Sequence, residues 1–148
     1  MKHNSILGLL LIIGIAMCGT NLCSAQFVLP VFQCTLTNKL DVFNWPGTPQ
    51  ETYVTGTREI YFICNSDNAE NGDRIRAVWV ADHTNGYLPP NTVISTQTHR
   101  IVKPHNENQT SEENLSLKKP AQGWPTGEYH VQLYVNGIED KTYLFKVR

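Results

Sequence analysis

The sequence predicts an all-β protein: an antiparallel sandwich of about seven short strands, preceded by an N-terminal export signal. Three observations predict it. Runs rich in β-branched and aromatic residues recur, with turn residues at roughly the 8 to 12 residue spacing of sandwich strands. The run "GEYHVQLYV" alternates strictly between apolar and polar residues and ends at Asn136-Gly137, a dipeptide suited to a tight hairpin. No apolar pattern of helical period persists for more than a few residues.

The first 25 residues stand apart. Lys2 precedes the uncharged run Ile6 to Met17, and "CSA" places small residues at Cys23 and Ala25. This is the layout of a secretory signal peptide cleaved after Ala25, with residues 26–148 as one domain. The apolar run falls short of the about 20 residues of a comfortable membrane span, so no integral span is expected after signal removal. A retained N-terminal anchor is one alternative. A lipid-modified Cys18 or Cys23 is another, although Met17 and Leu22 stand where lipid attachment favours a small residue.

Within residues 26–148 the strand signals follow in order. Leu29 to Leu36 and Lys39 to Phe43 are short strand-like runs separated at Asn38, the second closed by "NWPGTP". Gly56 to Cys64 carries "REIYFIC" and stops at the turn-rich "NSDNAENGD". In Arg74 to Asp82, Ile75, Ala77 and Trp79 share one face. Thr92 to Lys103 is long, polar and threonine-rich, as suits an edge strand. "PHNENQTSEEN" reads as loop, and Leu115 to Lys119 as a short strand. Pro125 and Gly127 set a turn before the last hairpin. Its inner faces are Tyr129, Val131, Leu133 and Val135 on one strand, and Tyr143, Phe145 and Val147 on the other. A closed barrel is the alternative architecture.

Cysteine usage points to the same compartment as the signal. Cys34 and Cys64 remain once the signal is removed, and in an oxidising compartment they most simply form one disulfide. Closing about 30 residues contributes roughly 3 to 4 kcal/mol in the chain-entropy picture. Two buried free thiols are the other reading. A two-cysteine zinc site lacks further ligands at finger-like spacing.

Trp79 lies 15 residues after Cys64, and Gly127-x-Tyr129-x-Val131 is similar to a tyrosine corner. On these residues the chain resembles immunoglobulin-like and fibronectin-type sandwiches over most of residues 26–148. Val131 stands where the second core cysteine of a true immunoglobulin domain would be, so the inter-sheet disulfide is absent. The closing "GEYHVQLYVNG" and "FKV" also resemble the hairpins that end small exported bacterial β-sandwich proteins. Such a resemblance implies architecture and leaves function to the site.

Composition excludes some functions. Without Lys2, eleven basic residues face thirteen acidic ones, a net charge of −2. No basic stripe marks a nucleic-acid binder. "DNAENGD", Asp67 to Asp73, invites a calcium loop, but its third ligand position is Ala69 and its twelfth Val78, where a bidentate glutamate belongs. A plain turn fits better.

His83, His99, His105 and His130 are scattered, without metal-ligand spacing. Asp82-His83 offers a base with an orienting carboxylate, and with another histidine brought close by folding it is the basis of an alternative reading as a small secreted metal-dependent hydrolase. No G-x-S-x-G elbow or phosphate-cradling loop is present, and no cofactor or metal is expected. Asn108 and Asn114 head N-glycosylation tripeptides, meaningful only in a eukaryotic secretory setting. Trp45, Tyr87 and Trp124 flank proline or glycine in loops and are the candidate contact residues. The expectation is therefore a non-catalytic binding or accessory module of bacterial envelope or secreted type, periplasmic or extracellular. It would bind a protein or glycan, in attachment to a host cell or an envelope partner.

Overall fold

A computed structural model describes residues 29–85, 88–103 and 110–148. The expected signal peptide and its cleavage position lie outside the described residues. Eight strands form two sheets: β1 Gln33–Thr37, β2 Thr52–Tyr53, β3 Glu59–Ser66, β4 Arg74–Thr84, β5 Thr92–Arg100, β6 Ser111–Lys118, β7 Gly127–Val135 and β8 Ile138–Val147. The smaller sheet has the order β1-β3-β6 and the larger β2-β8-β7-β4-β5. Every pairing is antiparallel except the two-residue contact of β2 with β8. The all-β sandwich expected from the sequence is the observed architecture.

The core lies between the sheets. Alternation in β7 puts Tyr129, Val131, Leu133 and Val135 inside, each at most 1% exposed. Trp79 on β4 is fully buried and meets Phe62 of β3 edge-to-face at 6.2 Å, tying one sheet to the other. Phe62 also meets Tyr143 of β8 at 4.9 Å. The Tyr129 hydroxyl donates to Pro125 O at 2.5 Å, the reach-back of a tyrosine corner. Burial pushes the Tyr129 phenol up to about 12. Asn136 (φ 50°) and Gly137 (φ 87°) form the tight turn between β7 and β8.

One side of the sandwich is closed by polar contacts between the edge strands β5 and β6. Gln97 donates to Ser116 O at 2.6 Å while accepting from the Trp79 indole at 3.2 Å. His99 Nδ1 lies 3.0 Å from Glu113 Oε2. On the smaller sheet, Cys34 and Cys64 are register partners, and a disulfide joins β1 to β3. The bridge is therefore within a sheet rather than between sheets.

Three segments differ from the sequence reading. Lys39 to Phe43 forms no strand, because the Asp41 side chain captures the backbone of its own turn. β2 is only two residues long, and it is held by Lys146 N–H to Glu51 O and Arg148 N–H to Tyr53 O. β6 begins at Ser111 rather than Leu115, its polar start paired in register with β3. Asn114 thus sits exposed in a strand, and Asn108 lies outside the described residues.

Candidate functional site

The strand register gathers one set of loops at a single end of the sandwich. β1 ends at Thr37 opposite Tyr61, β6 ends at Lys118 opposite Glu59, and β7 begins at Gly127 opposite both Val147 and Thr84. Trp124 N–H donates to Thr55 O at 3.2 Å, which ties the β6–β7 connection to the β2–β3 turn. Trp45, Trp124 and Asn85, whose N–H donates to Thr126 O at 3.0 Å, all belong to this end.

Within it, the turn at residues 40–46 is built on one carboxylate. Asp41 Oδ1 accepts the N–H groups of both Phe43 and Trp45, each at 2.8 Å. Asp41 N–H donates to Trp45 O at 3.0 Å, and Asn44 N–H to Asp41 O at 3.1 Å. Asn44 takes the left-handed conformation, φ 64°, which asparagine tolerates better than most residues. Leu40 bridges Pro46, and Gly47 N–H donates to Lys39 O at 2.9 Å. The result is a fixed tip carrying Val42, Phe43 and Trp45 at 91%, 76% and 62% exposure.

Of the three sequence candidates, Trp45 stands where an exposed contact residue should. Tyr87 lies outside the described residues. Trp124 is corrected: it is only 3% exposed, and its indole N–H donates to Thr57 O at 2.7 Å. Its ring meets Tyr129 edge-to-face at 6.3 Å. The β6–β7 loop folds this residue inward because the indole closes the end of the core. It lines, with Thr55, Leu88, Ile94, Pro120 and Tyr129, a cavity of about 460 Å3. A second, shallower groove of about 620 Å3 runs between the edges of β1 and β8.

Val42 and Phe43 were missed as contact candidates because Lys39 to Phe43 reads as a short strand. The available signal was Asp41, two residues before Phe43 and four before Trp45, ahead of Asn44 and the Pro46-Gly47 pair. That spacing suits an aspartate that closes its own turn.

Of the other chemical candidates, folding brings one further histidine, His130, to Asp82, as the alternative reading expected. Asp82 pairs with His130 Nδ1 at 2.6 Å on the outer face of the larger sheet, while neighbouring His83 is exposed. A bulge at Asp82 re-aims its side chain away from the Asp82-His83 constellation expected from sequence. The cross-strand neighbours of His130 are Val80 and Leu144. Among the described residues, no three His, Cys, Asp or Glu side chains converge as a metal-binding group.

In the Asp67–Asp73 turn the oxygens accept from protein donors. Asn68 Oδ1 takes Val31 N–H, Asn71 Oδ1 takes Lys103 N–H, and Asp73 takes Glu70 N–H and the Asn136 amide. That turn is built as structure.

No family model matches the chain, and no curated protein does. Among solved structures it aligns with the beta-glucosidase from Listeria innocua in complex with glucose, at 9% identity and TM-score 0.46. The alignment covers 80% of this chain and 16% of that one. It also aligns with the Pseudomonas fluorescens alkylpurine DNA glycosylase AlkC bound to DNA containing an abasic site analog. That alignment has 11% identity and TM-score 0.41, covering 79% of this chain and 30% of that one. The chain thus spans less than a third of either protein. At this distance the chain's function rests on its own geometry.

Proposed function

We propose that this chain is an exported, non-catalytic binding module that attaches through the loop end of its sandwich. The observation that carries the reading is the Asp41 turn. Three large apolar side chains are held in water by a hydrogen-bonded frame, at a net cost in solvation that the fold itself does not recover. The Cys34–Cys64 disulfide supports an oxidising compartment, where such bridges persist. The resemblance to immunoglobulin-like sandwiches supports the same reading, since such scaffolds present binding loops at their ends. The partner surface belongs to a host cell or to the producing envelope, with protein and glycan ligands as the classes the sequence suggests.

The test compares retention of the purified chain on intact host cells and on envelope fractions, for wild type and Phe43→Ser. Binding lost in the variant, with an unchanged melting temperature, supports the reading. Equal binding by both chains contradicts it.

A further inference from the structure

We infer that the tip formed by Val42, Phe43 and Trp45 seats in the interfacial layer of an anionic lipid bilayer. The inference rests on the reading of the chain as an attachment module and names the surface it attaches to.

The shape of the tip is the first argument. The three side chains project from a convex turn and are all more than 60% exposed. A convex apolar point needs a partner that yields around it, and a bilayer interface does so without a matching cleft. Tryptophan and phenylalanine both favour that interface, where an apolar ring sits below a hydrated layer. A glycan suits the tip poorly: Val42 and Phe43 carry no polar group for sugar hydroxyls. The two backbone N–H groups that Asp41 accepts both go to its Oδ1.

Charge is the second argument. Lys39 begins the turn, and Arg58, Lys118 and Lys119 lie at the same end, all exposed. Lys119 N–H donates to Arg58 O at 2.8 Å, which fixes the last three together. Glu59 and Glu128, among the acids of this end, are engaged elsewhere. Glu59 accepts from Ser116 Oγ at 2.6 Å and from the Tyr61 hydroxyl at 3.1 Å, and Glu128 pairs with Lys146 at 2.7 Å. Asp41, within the tip, and Glu51 are the exceptions: both stay exposed, against the four cations Lys39, Arg58, Lys118 and Lys119. Among the described residues, no carboxylate lies within ion-pair distance of Lys39, Arg58, Lys118 or Lys119. Apolar insertion beside a basic rim is the chemistry that anionic headgroups recognise.

The chain carries its own probe. Of its three tryptophans, Trp79 and Trp124 are buried and Trp45 is exposed, so a change in emission on binding reports the tip. The experiment titrates the protein recovered from the exporting cell with two kinds of vesicle. One is phosphatidylcholine mixed with phosphatidylglycerol, the other phosphatidylcholine alone, each with and without bromine-labelled acyl chains.

The expected result is a blue shift and bromine quenching on the anionic vesicles, with much weaker binding to the neutral ones. Phe43→Ser should weaken binding at least about tenfold. Lys118→Ala and Lys119→Ala should each weaken it about fivefold, and added salt should weaken it further. Trp45 emission unmoved by anionic vesicles overturns the inference, as does an unshifted affinity in Phe43→Ser. If vesicles fail while Phe43→Ser still abolishes retention on cells, the partner is a protein or glycan and only the lipid assignment falls. If neither measurement responds to Phe43, the attachment reading falls with it.

Discussion

Cys34 on β1 and Cys64 on β3 face each other in register, their Cα atoms 4.0 Å apart, and their disulfide lies within the smaller sheet. Cys64 is fully buried and part of the core, so the bridge anchors the N-terminal edge strand to the most buried strand of its sheet. β1 has only five residues and pairs on one side, so the covalent tie supplements few hydrogen bonds.

Cys34→Ser should therefore lower stability by about 2 to 4 kcal/mol, mainly by releasing a 30-residue closure in the unfolded chain. Denaturant melts with and without reductant check this. Non-reducing mass spectrometry should recover the Cys34 and Cys64 peptides linked.

Gly127 opens β7 where it passes the bulge in β4. A Cβ there would collide with His83 O and sit 2.8 Å from Thr84 Cα, both backbone atoms that cannot rotate away. Gly127→Ala should destabilise the protein by about 1 to 3 kcal/mol, as overpacking does elsewhere. Gly56→Ala, with open space around its Cβ, is the matched control and should stay within about 0.5 kcal/mol.

The two loop tryptophans should separate cleanly. Trp124→Ala removes a buried ring and the indole bond to Thr57 O, and should cost about 3 to 5 kcal/mol. Trp45→Ala removes an exposed ring and should change stability by less than about 0.5 kcal/mol while affecting binding. Thermal melts of the two variants, run beside a binding assay, read both effects.

Alkaline pH should unfold the protein through its buried phenols. Tyr129 has its pKa raised from 10.0 to about 12 by burial, and burial also raises that of Tyr53. Below pH 10 both states keep these phenols protonated, and the full stability is present. Above it the unfolded chain loses protons that the folded chain retains, so stability falls as pH rises from 10 towards 12. Tyr129→Phe should flatten this decline in denaturant melts, at the cost of the bond to Pro125 O.

The parts of the fold legible in the sequence are those whose side chains alternate against a single buried face. β7 is the clearest, since each inward residue is apolar and the Asn136-Gly137 turn sets its register with β8. The alternating half of β4 was equally plain, up to the bulges beyond Trp79 that bury Val80 and Ala81 in succession. What was not legible depends on long-range pairing. β2 exists only because Glu51 and Tyr53 carbonyls meet the end of β8, and the start of β6 is strand only because β3 supplies its hydrogen bonds. Period cannot report either.

The site was half legible for a related reason. Composition flags Trp45, but a tryptophan beside proline or glycine looks the same whether it points out or in. Trp124 turns in because Thr57 O and the Tyr129 ring lie beneath it, contacts 67 and 5 positions away in sequence. Val42 and Phe43 point out because one carboxylate folds the chain back before a strand can form.

The most direct test of attachment through this end is a photo-crosslink on intact cells. A benzophenone amino acid replaces Trp45 in one chain and Thr98, on the exposed outer face of β5, in another. Irradiation should give adducts to the contacted surface from position 45 and none from position 98. Adducts from position 98 with none from position 45 would contradict the account.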